Sequence, residues 1–335
     1  MPISSSGLFI RADASPQTGT GHVMRCLALA QAARERGIPV QIAGRTTVDW
    51  VRARLKTEGV NFTELDGLVP KRENPQALLA QIDAIKKPGW VILDGYHFGL
   101  DCQQAARAAG CKLLVIDDYA HLPEYSCDIL LNQNIGAEEL DYTGDIGQKL
   151  PGPKYALLRP EFLAARGQVK EQRLPGKARN ILLTLGGGDF YEHLARIASY
   201  FAAPELTGCT LRVIAGAMQT EHIRTLFQDC PANVEILTRV DDMPALLLDT
   251  DLCVTAGGST YWELCCLGVP FLTVEVAENQ RNIIHKLQES GIAPGYAAGT
   301  FADLMGDGAT RRKLVDAGLA LVDGLGAGRV INAVW

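Results

Sequence analysis

Short apolar runs alternate with segments of helical periodicity along the whole chain, and this alternation predicts an α/β fold with parallel sheets. In the first half, the apolar runs predict strands at 7–13, 38–43, 60–65, 90–94, 112–117 and 128–131. In the second half, they predict strands at 180–185, 210–215, 233–238, 251–255 and 270–275. None of these runs approaches the length of about 18 residues that a membrane-spanning helix requires, so we expect no transmembrane segment.

Residues 151–178 interrupt this rhythm, because they contain Pro-Gly-Pro, a further proline at position 160 and a charged stretch. We interpret them as the connection between two domains, which a chain of 335 residues can accommodate. The pattern therefore predicts two Rossmann-like, doubly wound domains, at 1–160 and 175–335. In such folds ligands bind at the carboxyl ends of the strands, and we expect them in an interdomain cleft.

Composition narrows the class of protein. A formal charge of −6 and a pI near 5.6, without a basic stripe, argue against nucleic acid as a partner. The nine cysteines are scattered and form no C-x-x-C pair, so we expect reduced thiols packed as small hydrophobic groups. The first residues lack the features of an export signal. We therefore expect a cytoplasmic protein that is a monomer or a weak dimer.

The segment around His22 carries the first candidate chemistry. Apolar residues 8–10 lead into a turn containing Gly19 and Gly21, and a helix follows with the histidine at its first position. Glycine lets the backbone approach a ligand closely, and a helix start offers free N–H groups that favour an anion. The same positive field favours the neutral imidazole, which is the form that a general base requires. We predict that His22 is that base.

A second segment, Gly257-Gly258-Ser259-Thr260 with Glu263 one turn further, joins a strand end to a helix start. The two glycines and the helix N-terminus predict a diphosphate site, and the carboxylate could accept hydrogen bonds from two ribose hydroxyls. The alternative is ordinary helix capping by Ser259, with Glu263 solvated.

A third segment places Asn279 and Gln280 after another strand, where their amides could bond to sugar hydroxyls or acetamido groups. Asn279 could instead be a simple N-cap. We interpret the glycine turn that includes Gly187 as a place where the backbone approaches a ligand closely, and not as a separate nucleotide-binding loop. Because Gly19-x-Gly21-x-x-Met24 lacks the third glycine of a dinucleotide fingerprint, we expect no nicotinamide cofactor. No ligand spacing predicts a metal site.

Two motifs together resemble those of a known family, the UDP-diacetamido-trideoxy-altropyranose hydrolases of pseudaminic acid biosynthesis. The first is Arg11-x-Asp13-x-Ser15 with Gly19-x-Gly21-His22-x-x-Arg25-Cys26-Leu27-x-Leu29-Ala30. The second, shared more loosely with MurG-type glycosyltransferases, is Ala256-Gly-Gly-Ser259-Thr-x-x-Glu263 with Ala277-x-Asn279-Gln280. The resemblance continues to Val322-Asp-Gly324-x-Gly326-Ala-x-Arg329-Val330 and so covers nearly the whole chain.

The resemblance implies a GT-B-like architecture in which the second domain binds UDP. It also implies metal-independent hydrolysis of a UDP-sugar, with C–O cleavage and inversion at C1. The family's catalytic histidine, tyrosine and asparagine fall on His22, Tyr96 and Asn279. Residues predicted to bind substrate are Arg11, Asp13, Gly21, Gly187, Gly257, Gly258, Ser259, Thr260, Glu263 and Gln280. Thr18 departs from the Ile or Leu that the family often has there.

Three other functions fit the same residues. A glycosyltransferase of this fold would use His22 to deprotonate an acceptor hydroxyl in place of water. A hydrolysing 2-epimerase would need acidic groups around C2 of the sugar. A non-catalytic sugar-nucleotide sensor would make little use of a histidine at a helix start.

Overall fold

A computed structural model describes residues 7–86, 88–169, 174, 176–186, 191–215 and 220–335, with the backbone alone at position 279. The chain forms two compact units, one of Met1–Pro160 with Leu325–Trp335 and one of Glu161–Gly324. The sequence placed the last residues in the second domain, whereas in the structure they pack with the first unit. Among the described residues, no helix combines the length and apolar character required to cross a bilayer.

The first unit contains a seven-stranded sheet in the order β3-β2-β1-β4-β5-β6-β7, and its strand pairs are parallel. Its strands are β1 (Leu8–Ala12), β2 (Val40–Gly44), β3 (Asn61–Glu64), β4 (Trp90–Asp94), β5 (Lys112–Ile116), β6 (Tyr125–Asn132) and β7 (Gly144–Pro151). The helices are α1 (Gly21–Glu35), α2 (Asp49–Thr57), α3 (Pro75–Ala84) and α4 (Leu100–Ala108). A further helix, α5 (Pro160–Arg166), begins at the boundary of the units.

The second unit contains a five-stranded sheet in the order β10-β9-β8-β11-β12, again with parallel pairs. Its strands are β8 (Asn180–Thr184), β9 (Thr210–Ile214), β10 (Asn233–Leu237), β11 (Leu252–Ala256) and β12 (Phe271–Val274). Its helices are α6 (Tyr191–Ala198), α7 (Thr220–Leu226), α8 (Met243–Leu248), α9 (Thr260–Leu267), α10 (Arg281–Glu289), α11 (Ala298–Gly306) and α12 (Gly308–Leu321). Both units therefore have the doubly wound topology that the sequence predicts.

Alternation along the strands builds a core on both faces of the first sheet. Leu8 and Ile10 of β1 are buried on the face that α1 covers, where Leu27 joins the same cluster. Phe9, between them, belongs to a separate cluster on the other face that includes Leu78 of α3. Helix α1 ends before Gly37, whose φ of +73° provides the left-handed conformation common at a helix C-terminus.

The last helix, α13 (Gly326–Val334), returns the chain to the first unit. Val330 and Ile331 are completely buried in the same cluster as Leu27 of α1. This helix therefore forms part of the core that supports the start of α1.

Each predicted strand is present, but the sequence pattern did not predict β7. Most residues of this strand are exposed, and it pairs with β6 at the edge of the sheet. An exposed edge strand has no apolar run, so hydrophobic periodicity alone does not reveal it. In the first sheet the strand order reverses between the neighbours β1 and β4, and in the second between β8 and β11. Doubly wound folds bind ligands at such points.

Candidate active site

His22 lies in the first turn of α1. The helix begins at Gly21, so His22 is its second residue and not its first, as the sequence suggested. Its Nδ1 is 2.6 Å from Oδ1 of Asp94, the last residue of β4, and this carboxylate is completely buried. A carboxylate only accepts hydrogen bonds, so we assign the proton to Nδ1, which donates to Asp94. The lone pair is then on Nε2, and the side chain keeps 13% of its surface exposed. This arrangement is suited to accepting a proton at Nε2.

Arg25 holds the Asp94 carboxylate from the next turn of α1. Its Nε and Nη2 donate to the two carboxylate oxygens at 2.7 and 2.6 Å, and Nη2 lies 3.2 Å from His22 Nδ1. The guanidinium also donates to Asp118 at 2.8 and 3.0 Å. Burial alone would raise the pKa of Asp94, but the charge of Arg25 and the contact with His22 hold it well below its usual range. Asp94 is therefore a fixed, ionised partner for the imidazole.

Tyr96 completes the surroundings of His22. Its ring packs edge-on against the imidazole, with centroids 5.2 Å apart, and its hydroxyl donates to Asp118 at 2.7 Å. Burial and the Asp118 charge raise the pKa of Tyr96 well above its ordinary value, so the phenol remains a donor. The structure thus brings His22 and Tyr96, both predicted from sequence, into one cluster.

The sequence alone did not predict a site role for Asp94, Arg25 or Asp118. Two features of the sequence could have indicated these residues. Asp94 and Asp118 lie at or just after the carboxyl ends of buried strands, and Arg25 lies three residues after His22 on the same helix face. Their pairing depends on β4 lying beside β1, with Asp94 opposite Ala12, and this neighbour relation is not visible in the sequence.

Arg11 and Asp13, which the sequence predicts to bind substrate, are both almost completely buried in the structure. Arg11 donates to Asp13 at 3.0 Å, to Glu73 at 2.9 Å and to the Ala43 carbonyl at 2.8 Å. Asp13 in turn accepts from the backbone N–H of Arg45 at 2.7 Å. These side chains thus connect the segments that follow β1 and β2, and their role toward the substrate stays a prediction.

Asp13, Glu73 and His97 place potential metal-ligand atoms within 4.8 Å of one another. Two guanidinium groups already use these carboxylates, since Arg45 also donates to Glu73 at 2.6 Å. Burial would raise the pKa of Asp13, but His97 and Arg11 lower it well below its usual range. The cluster is thus a compensated ion network, in which a metal ion would have to displace an arginine.

The second unit positions the predicted diphosphate segment at the start of α9. Gly257 is buried, and an added Cβ would lie 2.9 Å from the Gln280 side chain, so packing alone requires a glycine there. An added Cβ at Gly258 would meet nothing within 4 Å, which leaves open space beside the helix start. Ser259 occupies the N-cap position, but its side chain makes no capping hydrogen bond, contrary to the capping interpretation. Its hydroxyl is therefore not used to cap the helix.

The structure also gives the positions of other residues of this unit that the sequence predicts to bind substrate. Glu263 is in the first turn of α9, one turn from the glycines, and Thr260 begins the helix. Gln280 accepts hydrogen bonds from the backbone N–H groups of Gly257 and Val276, at 3.2 and 3.4 Å. Its side-chain oxygen therefore links two loops, and its role in substrate binding stays a prediction. Gly187 and the Asn279 side chain lie outside the described residues.

The buried carboxylates predict that the first unit is the acid-sensitive one. The pKa values of Asp13, Glu73, Asp94, Asp117 and Asp118 are all lowered in the folded state, that of Asp117 to about 2. Their stabilising contribution is complete above the unfolded-state values of about 3.9–4.3 and is lost as the pH falls below them. We expect the urea midpoint of the first unit to fall steeply below about pH 4.

Tryptophan fluorescence can follow this unit alone. Three of the four tryptophans, Trp50, Trp90 and Trp335, are in the first unit, so a Trp262→Phe variant reports only its unfolding. A urea midpoint that is the same at pH 3.5 and pH 7 would contradict the prediction.

The fold places the chain in the GT-B class. Over 98% of this chain and 99% of the other, it superposes on the crystal structure of Acinetobacter baumannii MurG with a TM-score of 0.67 and 18% identity. At this identity the likeness establishes the fold alone. It confirms the two-domain α/β architecture predicted from the sequence.

Sequence comparison with curated proteins adds to this similarity of fold. The chain is 26% identical to the UDP-2,4-diacetamido-2,4,6-trideoxy-beta-L-altropyranose hydrolase of Campylobacter jejuni, over 86% of this chain and 98% of that protein. It is 25% identical to an uncharacterised protein of Methanocaldococcus jannaschii, over 80% of this chain, and spans about half (55%) of that protein's length. No protein-family model matches the chain. The family resemblance that the motifs indicated is thus confirmed.

Proposed function

We propose that the protein hydrolyses a UDP-activated diacetamido-trideoxy sugar to UDP and the free sugar. The observation that carries this proposal is the His22–Asp94 pair, 2.6 Å apart, with Nε2 of the histidine left to accept a proton. The similarity to the Campylobacter hydrolase supports the choice of substrate and of water as the attacking group.

In the proposed step, His22 Nε2 takes a proton from a water molecule whose oxygen attacks C1 of the sugar. The bond between C1 and the β-phosphate oxygen breaks with inversion, and its electron pair leaves on UDP. The imidazolium that forms is stabilised by the ionised Asp94. Tyr96, which contacts the imidazole, helps to position the sugar, and we assign the same role to Asn279.

We assign the UDP to the second unit. The positive end of the α9 helix dipole, beside Gly258 and Ser259, would stabilise the charge that develops on the leaving diphosphate. No step in this scheme requires a metal ion or a cofactor.

Incubating the protein with the UDP-diacetamido sugar in ¹⁸O-labelled water, without any acceptor, tests this function. We expect stoichiometric release of UDP and free sugar, with the label on C1 of the sugar and none on UDP. Label on UDP would indicate attack at phosphorus and contradict the mechanism.

An inverting glycosyltransferase is the second candidate, because the chain shares its whole fold with MurG. In that case His22 would deprotonate an acceptor hydroxyl through the same pair with Asp94. The incubation without acceptor separates the two functions, since a transferase would leave the UDP-sugar intact.

Glu263→Ala is expected to weaken UDP binding by about tenfold, because a carboxylate that accepts from two ribose hydroxyls makes two charge-assisted hydrogen bonds. Saturating turnover should change much less, since the lost contacts are equally present before and during the reaction. Calorimetric titration with UDP measures the first effect. Glu221→Ala, which removes an exposed carboxylate from α7 of the same unit, is the control. An unchanged UDP affinity in Glu263→Ala would exclude the ribose assignment.

A further inference from the structure

A second buried histidine–aspartate pair lies in the loop after β5. Asp117 is completely buried, and its oxygens accept from Nδ1 of His121 and from backbone and phenolic donors. These donors are the N–H groups of Tyr119 (2.8 Å) and Ala120 (2.6 Å) and the hydroxyls of Tyr125 (2.8 Å) and Tyr142 (2.9 Å). Burial would raise the pKa of Asp117, but the contacts with His121 and the tyrosines lower it to about 2. The carboxylate is therefore an ionised acceptor.

Because Asp117 only accepts, the proton of the pair belongs to Nδ1 of His121, and Nε2 carries a lone pair. This nitrogen is buried and has no hydrogen-bond partner among the described residues, in a side chain that is 8% exposed. A buried acceptor without a donor is unfavourable unless something else supplies the donor. Ala120, which precedes the histidine, has a φ of +55°, a strained conformation for a residue with a side chain.

The position of His121 links it to the proposed active site. Its ring packs edge-on against Tyr96, with centroids 5.3 Å apart, on the tyrosine that also packs against His22 at 5.2 Å. The Tyr119 ring lies 5.9 Å from His121 and 5.0 Å from Tyr96, and 36% of that residue is exposed. The Tyr96 ring therefore joins His121 to His22 in one aromatic cluster.

We propose that Nε2 of His121 accepts a hydrogen bond from the amide N–H of an acylamino group on the sugar, and so selects for that substituent. This inference rests on the proposed function. The nitrogen requires a donor, and the flanking Tyr96 and Tyr119 rings suit a methyl group. The lone pair of His121 Nε2 and the ionised carboxylates of Asp117 and Asp118 would repel a phosphate. We therefore place the uncharged sugar, and not the diphosphate, beside His121.

Substrate discrimination tests the proposal. The wild-type protein and His121→Phe are compared on the UDP-diacetamido sugar and on analogues in which one acylamino group is replaced by hydrogen. We expect His121→Phe to lower kcat/KM for the full substrate by about 10- to 100-fold and to leave one analogue nearly unaffected. His121→Gln, which retains an acceptor, should keep part of the preference and serves if the phenylalanine variant does not fold.

Tyr125→Phe is the matched control, because it removes another donor to Asp117 and leaves His121, the proposed partner of the acylamino group, in place. It should keep the wild-type preference between substrates. Equal losses on every substrate in His121→Phe, or the same change in Tyr125→Phe, would assign His121 a purely structural role and overturn the proposal.

Imidazole ¹⁵N NMR gives a readout that does not depend on turnover. The His121 Nε2 resonance, identified by its absence in His121→Phe, should shift when the UDP-sugar is added and stay in place with UDP alone. A shift with UDP alone overturns the proposal. If the wild-type protein releases no UDP without acceptor, the hydrolase function fails, whereas a sugar-dependent shift would still support the role of His121.

Discussion

His22→Asn is expected to lower kcat by about 10²–10⁴-fold while the Kd for UDP stays nearly unchanged. A single positioned base contributes a rate factor of this size, and asparagine cannot accept a proton from water. The imidazole is 13% exposed and is held by Asp94, so the substitution removes its basic Nε2 without opening a large cavity. Single-turnover kinetics and calorimetric UDP titration measure the two quantities separately.

His285→Asn is the matched control, because this histidine is 66% exposed and belongs to the second unit. It should leave both kcat and UDP affinity at wild-type values. If His22→Asn lost binding and turnover in equal measure, His22 would be a ligand-binding residue and not the base.

Asp94→Asn should produce the second large effect, a loss of at least about 10²-fold in kcat together with a loss of stability. A neutral amide stabilises the imidazolium less than a carboxylate does and no longer fixes the proton on Nδ1. The same change removes one of two carboxylates that compensate the buried Arg25, which destabilises the fold by several kcal/mol, in the range of about 3–5. Steady-state kinetics and urea unfolding report the two effects.

Asp118→Asn separates the two effects, because Asp118 bonds to Arg25 and Tyr96 and, among the described residues, makes no hydrogen bond to His22. We expect a comparable loss of stability but a smaller loss of kcat. If both variants lost the same factor in kcat, Asp94 would act only by holding Arg25.

The fold was largely predictable because buried parallel strands are continuous apolar runs, which the sequence displays directly. The runs at 90–94 and 210–215 match β4 and β9 to within one residue. The strand at Gly144–Pro151 escaped prediction because its side chains are mostly exposed and contribute no hydrophobic signal. The return of the chain to the first unit at Leu325 also gave no signal, since an amphipathic helix does not reveal which core it covers.

The site was predictable only in part, for a related reason. Local signals, a glycine turn and a helix start, were enough to select His22, whereas Asp94 becomes its partner only through the pairing of β1 with β4. The burial of charged residues was not visible in the sequence either. Arg11 and Asp13 are almost completely buried, and their ion pair depends on neighbours that only the fold brings together.

The position of helix α13 has a consequence for biosynthesis. Val330 and Ile331 fill the hydrophobic interior around α1, yet they are synthesised only after the whole second unit. The nascent chain therefore presents every residue of the second unit before the first can close its interior. Until α13 emerges, the strands made first must remain incompletely covered, and a premature stop near residue 325 would leave them permanently so.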